Sequence, residues 1–96
     1  MPDKTSASEP AGGWYVYVIL ASDESLYTGI TTDVERRFKE HGGSTKGARF
    51  FRGRTPVAVV YKERHADRSS ASQREAQIKK LSRKNKLDLI GLKFQT

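Results

Sequence analysis

Trp14-Tyr15-Val16-Tyr17-Val18-Ile19-Leu20, the turn-prone Ala21-Ser22-Asp23-Glu24 and then Ser25-Leu26-Tyr27-Thr28-Gly29-Ile30 form the stretch from which the rest of this chain is read. The first segment is almost entirely β-branched or aromatic, and such side chains fit a pleated, half-buried surface. Two runs of this kind around a polar turn spell a β-hairpin. A three-residue loop over Ala21 to Asp23 would pair Leu20 with Glu24. Counting back in twos, it would set Tyr17 opposite Tyr27 on one face of the sheet. Register matters here because a slip of one residue would turn every side chain to the other face.

Thr32 followed by Glu35 reads as a capping box, which predicts a helix from about Asp33 to His41, stopped by Gly42-Gly43. Residues 44–55 form a basic loop, and Pro56 to Tyr61 (PVAVVY) reads as a third strand. Asp67 caps a second helix continuing to about Leu81, and Ser82 or Arg83 begins a third containing Leu87, Leu89 and Ile90. The order β-β-α-β-α-α describes a small α/β domain, a three-stranded antiparallel sheet flanked by helices. It is expected over residues 14–94. Residues 1–13, rich in Ser, Ala, Pro and Gly, are expected to be a disordered tail, since they have little to bury against the entropy of ordering.

A chain of 96 residues is one module. No run is long and apolar enough for a membrane span, and the absence of cysteine excludes a disulfide framework, a thiolate zinc site and a cysteine nucleophile. A reducing, cytoplasmic setting is compatible with that. The formal net charge is +7, and it is uneven. Residues 1–31 hold one base, Lys4, against four acids, so the excess positive charge belongs to residues 32–96. A polyanion, nucleic acid first, is the partner class such a surface attracts.

Within the first predicted helix, Val34, Phe38 and His41 fall at i, i+4 and i+7, with Arg37 beside them, so Arg37 and His41 project together near the sheet. In the second, Ala71, Glu75 and Ile78 repeat the spacing and place a carboxylate in an apolar stripe, where it needs a partner or a metal. Taken singly, an Arg, Glu or His at a stripe edge is more often an ion pair or a snorkelling contact than a catalyst.

Tyr15-Val16-Tyr17, then Tyr27-Thr28-Gly29, then Arg37 eight residues after Gly29, and Glu75 in a later helix together resemble the GIY-YIG nuclease superfamily. The stretch LYTGITTDVERRFKEH is similar to its small stand-alone bacterial members. His41, Gly42-Gly43, Lys46-Gly47-Ala48 and Arg52-Gly53-Arg54-Thr55-Pro56 are also similar to the catalytic subunit of the eukaryotic endonuclease that cuts branched DNA. The chain departs from the pattern at Tyr15, where the first motif has Gly, and at Thr28, where the second has Ile. The resemblance implies hydrolysis of phosphodiesters, in DNA rather than RNA, with one divalent metal ion, Mg2+ or Mn2+, in repair or recombination.

Phosphodiester hydrolysis needs an activated water and neutralisation of the charge that develops on the phosphoryl and leaving oxygens. Tyr17 is the candidate general base, provided that cations lower its pKa, and Tyr27 would hold the water or phosphate. Arg37 offers a planar fork of donors to two phosphate oxygens. Glu75 would be the one protein ligand to the metal, with water and substrate completing the shell. His41 would relay a proton to or from Tyr17, or contact the phosphate.

Substrate grip is expected from Lys46, Arg49, Arg52 and Arg54 in the loop and from Lys79, Lys80, Arg83, Lys84 and Lys86 in the last two helices. Phe50 and Phe51 would either stack on an unpaired base or pack the loop onto the core. His65 has no supporting constellation and reads as a surface residue. The alternative to an enzyme is a nucleic-acid-binding module without turnover, and pure binding has no use for a buried carboxylate. Superfamily members are often joined to a targeting domain; none is seen here, which leaves specificity broad or dependent on a protein partner.

Overall fold

A computed structural model of the protein describes residues 13–43 and 47–91. The elements are β1 (Trp14–Ala21), β2 (Leu26–Thr31), α1 (Val34–Gly43), a single 3₁₀ turn at Arg49–Phe51, β3 (Pro56–His65), α2 (Arg68–Lys79) and α3 (Arg83–Ile90). The expected order is the observed one. All but the last residue of the expected tail lies outside the described residues.

The sheet runs β2-β1-β3, antiparallel throughout, so β1 is its centre. Period-two alternation along β1 makes two cores. Tyr17, Ile19 and Ala21 point to one face, where Val34 and Phe51 cover them with Phe38 and Tyr27 at the margin. Val16 and Val18 point to the other and meet Ala71 and Ile78 of α2, with Leu89 and Ile90 of α3 at the margin. Val16, Ile19 and Ile78 are fully buried, each contributing on the order of 1.5–3 kcal/mol of hydrophobic stabilisation.

Five details differ from the sequence reading. The hairpin loop has the expected three residues but lies one position further along. Ala21 N–H donates to Ser25 O, and Glu24 takes a left-handed φ of 71°, as a type I turn with a bulge requires. The pairs are therefore Leu20 with Leu26 and Tyr17 with Gly29, two residues from the expected register. An even slip keeps every side chain on its face.

Asp33 rather than Thr32 caps α1, its Oδ1 accepting from Arg36 N–H at 3.0 Å. The helix also runs through Gly42 and Gly43 instead of stopping at His41. Strand β3 continues to His65, four residues beyond Tyr61, through Lys62, Glu63 and Arg64. His65 is no bare surface residue, since Nδ1 bonds Ser70 Oγ and Nε2 lies 3.3 Å from Glu63 Oε1. Arg74 Nε donates to the same Glu63 oxygen at 3.0 Å, fastening α2 to β3. The other two helix starts match expectation: Asp67 accepts from Ser70 N–H, and Ser82 from Asn85 N–H.

Candidate active site

Tyr17 sits in the middle of the central strand, 1% exposed, and crosses directly over Gly29 on β2. A Cβ on Gly29 would lie 2.7 Å from Tyr17 Oη and 3.0 Å from the Tyr27 ring, so glycine alone leaves room for both phenols. Tyr27 pairs with Ile19, diagonal to Tyr17 on the same face, and the two ring centroids are 6.1 Å apart. The register differs from expectation, yet the tyrosines still meet.

Helix α1 lies over this face and inserts His41, 5% exposed, between the tyrosines and the loop. Its ring stands 5.2 Å edge-on from that of Tyr27 and 4.7 Å from that of Phe51. Ala48 N–H donates to His41 Nδ1 at 3.0 Å, so Nδ1 is an acceptor. A neutral imidazole must then carry its proton on Nε2, and Nε2 lies 3.0 Å from Tyr17 Oη. His41 is thus a donor to Tyr17. The Ala48 amide reaches it because Gly47 lets the loop touch the end of α1: a Cβ there would stand 2.7 Å from Glu40 O and 2.8 Å from His41 Cα.

Burial, and after it the Arg37 charge, lowers the His41 pKa from 6.5 to about 4. At neutral pH the imidazole is uncharged and enclosed, held between Tyr17 Oη and the Ala48 amide. Burial likewise pushes the Tyr17 phenol well above its ordinary 10.0, and Tyr27 adds to the effect while Arg37 opposes it. The expected lowering of Tyr17 by cations is outweighed because the strand centre is dry. Arg37, on α1, interacts with Tyr17 by charge and hydrogen bonding, and its Nη1 donates to Glu40 Oε1 at 2.9 Å. Glu40 was missed from the sequence, although its i, i+3 spacing from Arg37 was a usable signal.

Tyr17, Tyr27, Arg37 and His41 therefore form one cluster. Glu75 comes from α2, whose Ala71 and Ile78 pack the opposite face. Its side chain is half-buried at 23% exposure rather than enclosed in the apolar stripe, and its Oε2 lies 3.3 Å from Lys79 Nζ. Among the described residues no group of three or more His, Cys, Asp or Glu gathers to hold a metal. Glu75 offers a single carboxylate, a donor that Mg2+ would complete with water and phosphate, and α2 carries it against the face of the sheet opposite Tyr17.

The basic residues divide. Arg49 and Arg52 are exposed on the loop, while Lys46 lies outside the described residues. Arg54 turns inward: Nε pairs with Asp23 Oδ2 at 2.8 Å, Nη1 donates to Phe50 O, and the guanidinium covers the Phe50 ring. Asp23, so bonded to Ser25 and Arg54, is held at a pKa of about 2. Phe51 is buried and Phe50 packs on Tyr27, so these rings fix the loop to the core. On the last helices Lys79 pairs with Glu75 and Lys84 with Asp88. Arg83 donates to Glu24 O at 2.7 Å, tying α3 to the hairpin tip, and Lys80 is exposed while Lys86 is half-buried.

The model of the GIY-YIG catalytic domain matches residues 13–88, the whole of this arrangement from the first strand into α3. The chain belongs to the GIY-YIG family. Among its relatives, a UPF0213 protein of Desulfotalea psychrophila is 52% identical over 77 residues, covering 80% of this chain and 70% of that protein. One of Natronomonas pharaonis is 52% identical over 81 residues, 84% of this chain and 94% of its own. The solution NMR structure of a UPF0213 protein from Bacillus halodurans superposes with a TM-score of 0.54 at 43% identity, covering 84% of this chain and 85% of that one. Tyr17 and Tyr27 on the two strands, and Gly29 opposite Tyr17, all lie within the matched residues.

Proposed function

We propose that this protein is a metal-dependent endonuclease that hydrolyses phosphodiester bonds in DNA. The observation that carries the reading is the convergence of Tyr17, Tyr27, Arg37 and His41 above Gly29, drawn from two strands and a helix. A binding module needs cations on its surface, but it does not need two phenols and a neutral imidazole locked together in its interior.

The scissile phosphate lies against Arg37, whose planar donors meet two phosphoryl oxygens and hold the charge that grows on them. Tyr27 orients the attacking water. The water oxygen forms the new bond to phosphorus as the bond to the leaving sugar oxygen breaks. Tyr17 is a neutral phenol in the resting site, so it takes the water's proton only as its own hydroxyl proton passes to a phosphoryl oxygen. That proton then moves from the phosphoryl oxygen to the leaving oxygen, so the one proton lost by the water is balanced by the one the leaving group gains. While the phenol oxygen carries excess charge, His41 Nε2–H and Arg37 stabilise it. A divalent ion held by Glu75 would supply positive charge to the phosphoryl and leaving oxygens.

Arg49, Arg52, Lys80 and Lys86, with Lys46, are the proposed contacts to the DNA backbone, joined by Lys79, Arg83 and Lys84 where those side chains can exchange their present partners for phosphate. Arg54 contributes by holding the loop in place. Such contacts are blind to base sequence, in keeping with a role in repair or recombination in which the shape of the DNA, or a protein partner, selects the target. No helix among the described residues is long and apolar enough to cross a membrane, and a cytoplasmic protein accords with this.

The deciding experiment incubates pure protein with labelled single-stranded, duplex and flap DNA, with Mg2+, Mn2+ or neither. Cleavage that requires metal and is lost in Tyr17→Phe and Arg37→Ala supports the reading. Folded protein that binds these substrates and cuts none of them with either metal is a binding module.

A further inference from the structure

The Arg37 guanidinium has to serve a phosphate without being fixed by it beforehand, and the side chain that holds it is Glu40. Arg37 Nη1 donates to Glu40 Oε1 at 2.9 Å, three residues along the same helix, with both side chains about three-quarters covered. Arg36 Nε also approaches Glu40, at 3.8 Å, but it is 58% exposed and the longer contact is the weaker one. The backbone of Glu40 is itself pinned, since Gly47 closes over its carbonyl oxygen and the next residue is the buried His41. The carboxylate therefore projects from a fixed point. Arg37 also interacts with Tyr17, by charge and by a side-chain hydrogen bond. A guanidinium carries five donors in a rigid fork, so one held by Glu40 can still present two to a phosphate.

We propose that Glu40 is a positioning residue for Arg37, a carboxylate that anchors one edge of the guanidinium so that its remaining edge faces Tyr17 and the scissile phosphate. This rests on the nuclease reading for its consequence, though not for the geometry. An arginine side chain has several rotatable bonds, and without Glu40 its head is left with fewer contacts to fix it. Misplacement of about 1 Å in a group that stabilises the transition state costs on the order of 100-fold in rate. Loss of Glu40 therefore lowers kcat and leaves KM near its wild-type value, because ground-state grip comes from the basic surface. In catalysis the residue acts through Arg37, so its loss lowers kcat no further once Arg37 is gone.

The test compares wild type, Glu40→Ala, Glu40→Gln, Arg37→Ala and the Arg37→Ala/Glu40→Ala double variant on a flap DNA with Mg2+. Steady-state kinetics and the thermal midpoint are measured for each, together with the side-chain Nε–H NMR resonance of Arg37 in the proteins that retain it. Expected are a fall of roughly 10- to 100-fold in kcat for Glu40→Ala and recovery of most of it in Glu40→Gln, which keeps an acceptor oxygen. The double variant should be no slower than Arg37→Ala, and the Arg37 resonance should be sharp in wild type and Glu40→Gln but broadened in Glu40→Ala. Additive losses, a wild-type rate in Glu40→Ala, or a faster enzyme would each overturn the proposal, the last by showing that Glu40 competes with phosphate. If no protein cuts DNA, the nuclease reading fails by itself. The resonance still decides whether Glu40 positions Arg37: broadening in Glu40→Ala supports it, and an unchanged line refutes it.

Discussion

Tyr17 and Gly29 face each other across β1 and β2, and the phenol of one fills the space that a side chain on the other would need, with Tyr17 Oη 2.7 Å from where a Cβ would stand. Gly29→Ala must therefore move Tyr17, Tyr27 or the strand. Overpacking of this kind costs about 1–3 kcal/mol. The expected outcome is a lower thermal midpoint together with a loss of cleavage greater than the loss of folded protein. Cleavage at the wild-type rate would show that Tyr17 need not sit where it does.

His41 makes stability depend on pH. Its folded pKa of about 4 lies below the ordinary 6.5, so between these values the unfolded chain binds the extra proton. The contribution of the buried neutral ring is complete above about pH 6.5, declines as pH falls, and is gone below about 4. The slope is at most about 1.4 kcal/mol per pH unit. Thermal midpoints of wild type and His41→Gln between pH 4 and 7.5 should converge as pH falls. A gap that stays constant would show that His41 does not titrate in this window.

The loop arginines separate by what they touch. Arg49→Ala and Arg52→Ala, at exposed positions, should leave the thermal midpoint unchanged. Each should lower the slope of log affinity against log salt by about 0.7–0.9 per lost phosphate contact. Arg54→Ala breaks the tie to Asp23 and Phe50 and should lower the midpoint as well as the affinity. Equal behaviour of the three variants would contradict this division.

Glu75 pairs with Lys79 at the surface, one side chain 23% and the other 54% exposed, and such i, i+4 pairs contribute only about 0.3–0.5 kcal/mol. Glu75→Gln should therefore keep its thermal midpoint, hold or improve metal-free DNA binding, and lose cleavage by orders of magnitude. A variant that cuts at the wild-type rate would remove Glu75 from the metal site.

Thr28 faces α2 from β2, 3% exposed, and its Oγ1 has no hydrogen-bond partner among the described residues. An unsatisfied buried hydroxyl costs about 1–3 kcal/mol. Thr28→Val, nearly the same shape without the hydroxyl, should raise the thermal midpoint by several degrees at unchanged cleavage rate, as differential scanning calorimetry with a parallel activity assay would show. A lower midpoint would mean that the hydroxyl is satisfied by bound water.

What the sequence by itself determined is whatever depends on near neighbours and on period. Asp67 and Ser82 cap their helices through amides three residues away, so both starts are local. Tyr17 and Tyr27 share a face under any even register, and Val34, Phe38 and His41 share one by helical spacing, so most of the cluster was legible before its geometry was. The capping box read at Thr32 and Glu35 did not form, and Asp33, one residue on, caps α1 through the amide of Arg36. Strand β3 hid its last residues because Lys62, Glu63 and Arg64 look solvated until Arg74 of α2 is beside them. Only the tertiary structure decided the direction of the Tyr17 and His41 shifts, since both depend on how much water burial removes. It alone set the proton of His41, which is fixed by the amide of Ala48, seven residues along the chain and reachable only where Gly47 lets two backbones touch.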